Sequence, residues 1–253
     1  MTERHSNALQ MAAKSYRLPI LDPDFLLGDS TRGLRFQLEY QKAEDILRTR
    51  GIDSTIVVFG SARVREGDAR GWYESARAFA KLSSELGGAK RENTSISHNV
   101  ITTGGGPGIM EAANRGAHDA GAPSIGFNIS LPQEQGPNPY STPDLTFKFH
   151  YFAMRKMHFA MRAAALVVFP GGFGTLDELF ELLTLRQTGK MTKALPVVLF
   201  DKNFWTSAIN FQHFATEKLI NPHDLNLFTY ADTPEEAWEG LRSRGLVIPE
   251  ELK

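Results

Sequence analysis

Cysteine is absent from the 253 residues, which excludes disulfides, zinc–thiolate centres, iron–sulfur clusters and thiol catalysis. An excess of one charge is absent too. The 28 Lys and Arg meet 29 Asp and Glu, so no global field draws the chain to nucleic acid or to an anionic membrane. Any anionic ligand must be held by local geometry. The longest strongly apolar stretch, Ala163 to Phe169, falls far short of the roughly 20 residues that span a bilayer. The opening MTERHSNALQ has no basic segment followed by an apolar one, so a secretory leader is not expected. A cytoplasmic protein with neither nucleic-acid nor membrane partners is expected. His5, His98, His118, His150, His158, His213 and His223 form no His-Glu-x-x-His or comparable set, so the expectation is no metal and no cofactor. No Walker A sequence occurs, since Met191 follows Gly189-Lys190, and there is no Gly-x-Ser-x-Gly elbow.

What is present is a hydrophobic fraction of 42%, enough for a sizeable core. Residues 1 to about 30 are polar, carry Pro19 and Pro23, and read as a loosely docked extension. Leu34, Leu38, Ile46 and Leu47 then mark an amphipathic helix closed by Gly51. From residue 55 short apolar runs alternate with helical patterns. The runs are 55–59, 99–103, 124–129, 145–149, 165–169, 195–200 and 225–230; the helical patterns are 70–86, 107–120, 152–164, 175–188, 203–219 and 234–243. Such alternation implies an α/β, Rossmann-like, doubly wound parallel sheet with helices on both faces. The expected organisation is an extension with a helix over residues 1–50 and one nucleotide-binding catalytic domain over 51–253.

Ligands of such sheets bind outside the carboxyl ends of the strands, and three glycine-bearing loops directly follow predicted strands. Gly60-Ser61 follows the first, where Ser61 is read as a ligand contact and not a nucleophile. Gly104-Gly105-Gly106-Pro107-Gly108 opens a helix with Pro107 placed as its first residue. Gly171-Gly172-Phe173-Gly174-Thr175 repeats that logic. Glycines let backbone amides approach an anion, and a helix N-terminus favours negative charge, so two such loops point to a phosphorylated ligand. The alternative is that the glycines merely make tight turns. Neither loop is a dinucleotide fingerprint, because Gly-x-Gly-x-x-Gly fails at Ile109 and at Asp177.

Thr175-Leu176-Asp177-Glu178 reads locally as a capping box, with Glu178 returning to the N-cap amide; Asp177 and Glu181 would complement the same helix dipole. A carboxylate beside a phosphate loop has a second reading: it faces the part of the ligand that turns positive, as a ribosyl ring does when its glycosidic bond breaks. Arg155 and Lys156 open a predicted helix, where cations oppose the dipole, and the bland reading is a solvated basic pair. Arg162 shares the face of Arg155, while Arg63 and Arg65 are either phosphate ligands or exposed loop charges. Tyr151, Phe152 and Phe159 are a base-stacking wall or ordinary core.

Pro170-Gly171-Gly172-Phe173-Gly174-Thr175-Leu176-Asp177-Glu178 resembles the Pro-Gly-Gly-x-Gly-Thr-x-x-Glu motif of the Lonely Guy (LOG) family. These are cytokinin riboside 5′-monophosphate phosphoribohydrolases and related bacterial nucleotide nucleosidases. Arg155-Lys156, separated from Pro170 by thirteen residues, is similar to the Arg-Lys element before that motif. The segment from Gly104 to Ala112 looks like the glycine loop of longer bacterial members. The resemblance spans about residues 55–200 and implies a homodimer or larger assembly that splits a nucleoside 5′-monophosphate into free base and ribose 5-phosphate. It implies Arg155 and Glu178 as the catalytic pair, and Gly172, Gly174 and Thr175 as the phosphate loop. Gly60, Ser61, Gly105, Gly106, Glu111, Lys156 and Gly171 complete the expected binding set. Where the family has Met three residues beyond the Arg-Lys pair this chain has Phe159, which implies a different base pocket. Members also carry the label lysine decarboxylase, but no pyridoxal phosphate site is legible here. The rival expectation is a non-catalytic nucleotide- or cofactor-binding carrier on the same fold.

Overall fold

The computed structural model describes residues 6–90, 95–132, 136–191 and 193–249. The chain divides into two compact units, residues 1–42 and 43–253. In the first, α1 (Ala8–Ala12), α2 (Pro23–Leu26) and three single turns of 3₁₀ helix precede α3 (Arg32–Thr49). Asp22 caps α2 through the Phe25 amide, and the Thr31 hydroxyl sits within donating distance of the Phe25, Leu26 and Gly28 carbonyls, with one hydrogen to give. These local bonds hold turns together where Leu9, Ile20, Leu21 and Leu27 remain exposed.

The second unit is a seven-stranded, all-parallel sheet. Its strands are β1 (Thr55–Phe59), β2 (Val100–Thr103), β3 (Ser124–Ile129), β4 (Thr146–Phe149), β5 (Ala163–Val168), β6 (Val197–Phe200) and β7 (Thr229–Ala231), in the order β4-β3-β2-β1-β5-β6-β7. The β-branched runs at the centre alternate between two cores, as period-two side chains must. Val57, Phe59, Leu166 and Val168 face one core; Ile56, Val58, Ala165 and Val167 face the other. The second core is closed by α4 (Trp72–Leu86), α5 (Ile109–Asp119) and α10 (Pro234–Ser243). The first takes α6 (Phe152–Arg162), α7 (Phe173–Gln187), α8 (Lys202–Ala208) and α9 (Phe211–Thr216). This is the expected doubly wound α/β fold. Among the described residues no helix is long and apolar enough to cross a membrane.

Three expectations fail locally, each for a physical reason. The strand expected over 225–230 starts late. Asn221 forms a reciprocal capping box with Asp224, so Pro222–Leu227 turns as 3₁₀ helix and only Thr229–Ala231 pairs with β6. The single helix expected over 203–219 is two, because Asn210 caps a new start by accepting from the His213 amide. Pro107 is not the first residue of α5. Gly108 stands at its N-cap with φ 74°, ψ −131°, a conformation outside the helical region that only glycine adopts without strain.

Candidate active site

The sheet reverses its winding between β1 and β5, and the loops after β1, β2 and β5 converge there with the end of β3 on a cavity of about 680 Å³. This is the crevice in which open parallel sheets bind ligands. The glycines around it fall into two groups. A Cβ at Gly60 would collide with the Ile109 side chain, one at Gly105 with the Asn128 amide, one at Gly108 with the Ser61 carbonyl, and one at Gly171 with Thr175. Those glycines serve close packing within the chain. At Gly172 and Gly174 a Cβ would meet nothing within 4 Å among the described residues, although both line the cavity. The space beside these two backbone positions is open to a group from outside the chain.

The donors that such a group would meet belong to α7. Its N-cap is Gly172, no side chain caps it, and its first turn carries no acidic residue. The Leu176 amide bonds to the Gly172 carbonyl, so the amides of Phe173, Gly174 and Thr175 are the orphan donors of the helix start. A positive helix end with open glycines before it suits an anion. The N-terminus of α5 is more covered, because the Ile109 amide already donates to the Ser61 carbonyl at 3.1 Å.

Glu178 does not cap α7. It stands a full turn inside a helix that starts at Phe173, and its Oε1 lies 3.0 Å from Nη1 of Arg155. The capping-box reading is thereby corrected: with Gly172 as its N-cap the helix begins three residues earlier than a Thr175 cap would set it, which puts Thr175 at its third position. Arg155 is buried against the core. Its Nε donates to the Phe127 carbonyl at 2.7 Å and its guanidinium lies over the Phe159 ring at 5.2 Å. A Cβ at Gly104 would strike its Nη2, so that glycine makes room for the arginine. Burial pushes the Glu178 carboxyl up to about 7, although Arg155 pulls the other way. Burial also lowers the Arg155 guanidinium, against the pull of Glu178, yet a guanidinium stays charged. A buried carboxyl that titrates near neutrality in a cleft is a candidate proton acceptor.

The remaining expected residues separate. Gly60, Ser61, Arg63, Gly106, Gly172, Gly174 and Thr175 line the cavity with Arg155 and Glu178; Gly105, Gly171, Glu111 and Lys156 do not. Lys156 Nζ sits 2.7 Å from Asp177 and 3.2 Å from Glu181. Burial opposes its charge, but these carboxylates outweigh it and hold the amine above its ordinary pKa. Glu111 accepts from the Tyr73 hydroxyl at 2.8 Å, a bond that ties α5 to α4. Arg162 turns from Arg155 to a bidentate pair with Glu44, at 2.7 and 2.8 Å. Arg65 donates to the Ala62 carbonyl. Of the aromatic wall, Phe159 is core, whereas Phe152 is half exposed on the cavity.

Sequence reasoning missed Asn128, Leu131 and the exposed ring of Phe173, all of which line the cavity. Asn128 had a signal: an amide near the carboxyl end of an otherwise apolar strand. Among the described residues no lysine lines the cavity, so none is placed there to form a Schiff base. Nor does any group of three or more His, Asp or Glu among them suit a metal ion; His5 lies outside the described residues.

The model of the family described as possible lysine decarboxylase matches residues 110–241. Over 170 residues the chain is 25% identical to the probable cytokinin riboside 5′-monophosphate phosphoribohydrolase LOGL6 of Oryza sativa subsp. japonica, covering 66% of this chain and 65% of that protein. Over 149 residues it is 28% identical to the cytokinin riboside 5′-monophosphate phosphoribohydrolase LOG3 of Arabidopsis thaliana, covering 57% and 67%. The chain thus spans about two thirds of the length of these relatives. The X-ray structure of TM1055 superposes with a TM-score of 0.54 at 21% identity, over 75% of this chain and 99% of that one. The molybdenum cofactor binding protein of Rippkaea orientalis gives 0.51 at 21%, over 76% and 96%. At these identities the structural likeness concerns the fold.

Proposed function

The chain belongs to the LOG family, the possible lysine decarboxylase family of the matching model, and we propose that it hydrolyses the N-glycosidic bond of a nucleoside 5′-monophosphate. One observation carries the reading. The Arg155–Glu178 pair, buried and 3.0 Å apart, shares a cavity with the uncapped N-terminus of α7 and its two unobstructed glycines. A phosphate held by the amides of residues 173–175 anchors the nucleotide, and that remote binding energy orients the ribose over Glu178.

As the C1′–N bond lengthens, its electron pair moves to the base and positive charge grows on the ribosyl ring. The Glu178 carboxylate stabilises that charge and takes a proton from the attacking water, whose oxygen forms the new bond to C1′. The departing base gains a proton, and ribose 5-phosphate remains. Arg155 keeps the carboxylate in place and has Nη2 left to donate to the nucleotide. The family resemblance adds a homodimer or larger assembly, which light scattering tests.

A nucleotide or cofactor carrier is the second reading, favoured by the fold shared with a molybdenum cofactor binding protein. It needs the open helix end but not a carboxyl titrating near neutrality beside it. Incubation with AMP, GMP, CMP, UMP and isopentenyl-AMP, followed by chromatography for free base, separates the two. Base release from at least one nucleotide is expected, with poor release from the matching nucleoside. Tight binding with no release from any of them favours the carrier.

A further inference from the structure

Most of the charges around the cavity cancel within the chain among the described residues. Arg155 is held by Glu178, and Asp177 by Lys156. Arg63 lines the same cavity, is exposed, and has no carboxylate or carbonyl partner for its side chain among the described residues. A phosphate monoester brings about −1.5 to −2 charges at neutral pH, whereas the end of a helix offers only about half a positive charge. With the Asp177 and Glu178 carboxylates in the cavity lining, α7 alone leaves the anion undercompensated.

The backbone that carries Arg63 is tied to the loop entering α7. The Ser61 amide donates to the Pro170 carbonyl at 3.0 Å. The Arg63 amide donates to the Ser61 hydroxyl at 3.1 Å, and Arg65 closes the turn on the Ala62 carbonyl. The segment is anchored, while the Arg63 guanidinium meets no carboxylate or carbonyl among the described residues. We propose that Arg63 is a substrate-binding residue, the cation that closes on the phosphate of a nucleoside 5′-monophosphate held at the N-terminus of α7. A planar fork of donors suits a phosphate, and an exposed side chain can follow the ligand in. Selectivity for the phosphorylated substrate over the free nucleoside then rests on this arginine together with the α7 amides.

This rests on the phosphate site proposed above, and binding of ribose 5-phosphate and of ribose by calorimetry separates the two claims. The wild-type protein should bind the phosphorylated sugar and not ribose. Arg63→Ala should weaken that binding, and raise KM for the nucleotide, by about ten- to hundredfold. The thermal midpoint should stay unchanged, and Arg63→Lys should restore part of the loss. If wild type binds ribose 5-phosphate and Arg63→Ala binds it equally well, the role of Arg63 is overturned and the phosphate site stands. If wild type does not bind it, both fall. Arg63→Gln repeats the measurement with a polar side chain, so that a folding defect in the alanine variant cannot stand in for a lost ligand contact.

Discussion

Burial and Arg155 pull on the Glu178 carboxyl in opposite directions, and burial wins, leaving it near 7. Two pH effects follow. A carboxylate that must accept a proton works only when ionised, so kcat/KM for base release should rise with pH and level off above about 7. Stability should run the other way. The folded pKa lies above the roughly 4.3 of an unfolded glutamate, so the stability from the protonated carboxyl is complete below that value and is lost as pH rises through about 7. Glu178→Gln has no such proton to lose. It should cut turnover about a hundredfold or more and flatten the thermal midpoint across that pH window. Full turnover in Glu178→Gln would sink the catalytic role, and an unaltered pH slope of the midpoint would sink the linkage.

At the scale of elements, α7 decides what its own sequence motif means. Beginning at Phe173 instead of after a Thr175 cap, it turns Glu178 from a cap into a cavity residue and leaves Gly174 inside the first turn. An alanine is worth about 0.5–1 kcal/mol more than glycine inside a helix. Gly174→Ala should therefore keep or raise the thermal midpoint while weakening binding of ribose 5-phosphate. Gly108→Ala tests the opposite kind of glycine. With φ at 74° and a Cβ aimed at the Ser61 carbonyl, it should lose about 1–3 kcal/mol in urea unfolding. Equal phosphate binding in Gly174→Ala would show that its open space is incidental. The loops after β1 and β2 illustrate the same distinction, since Gly60, Gly105 and Gly108 are explained by Ile109, Asn128 and Ser61 without any ligand.

At the scale of the whole molecule, every described residue that lines the cavity lies within the 43–253 unit. Removal of residues 1–31, which leaves α3 intact, should therefore preserve base release in the chromatographic assay; its loss would assign those residues a part in the site. The fold itself was legible along the chain. β1 and β3 occupy the residues that apolar runs mark, and glycines follow β1, β2 and β5, because continuous β-branched runs and strand-to-helix turns are local properties. The resemblance to the LOG family also singled out Arg155 and Glu178 as a pair. Which neighbours each residue meets was not legible. Arg155-Lys156 reads as one basic pair, yet successive helix positions point about 100° apart; one side chain reaches Glu178 in the cavity and the other is held by Asp177 and Glu181 outside its lining. Glu111 was drawn from the cavity by Tyr73, Arg162 by Glu44. The sequence alone determined that parallel strands would end in glycine-bearing turns, at the edge where ligands of such sheets bind. Only the packed structure decided which glycines leave room for it and which carboxyl is buried enough to titrate near 7, because both depend on atoms contributed by distant parts of the chain.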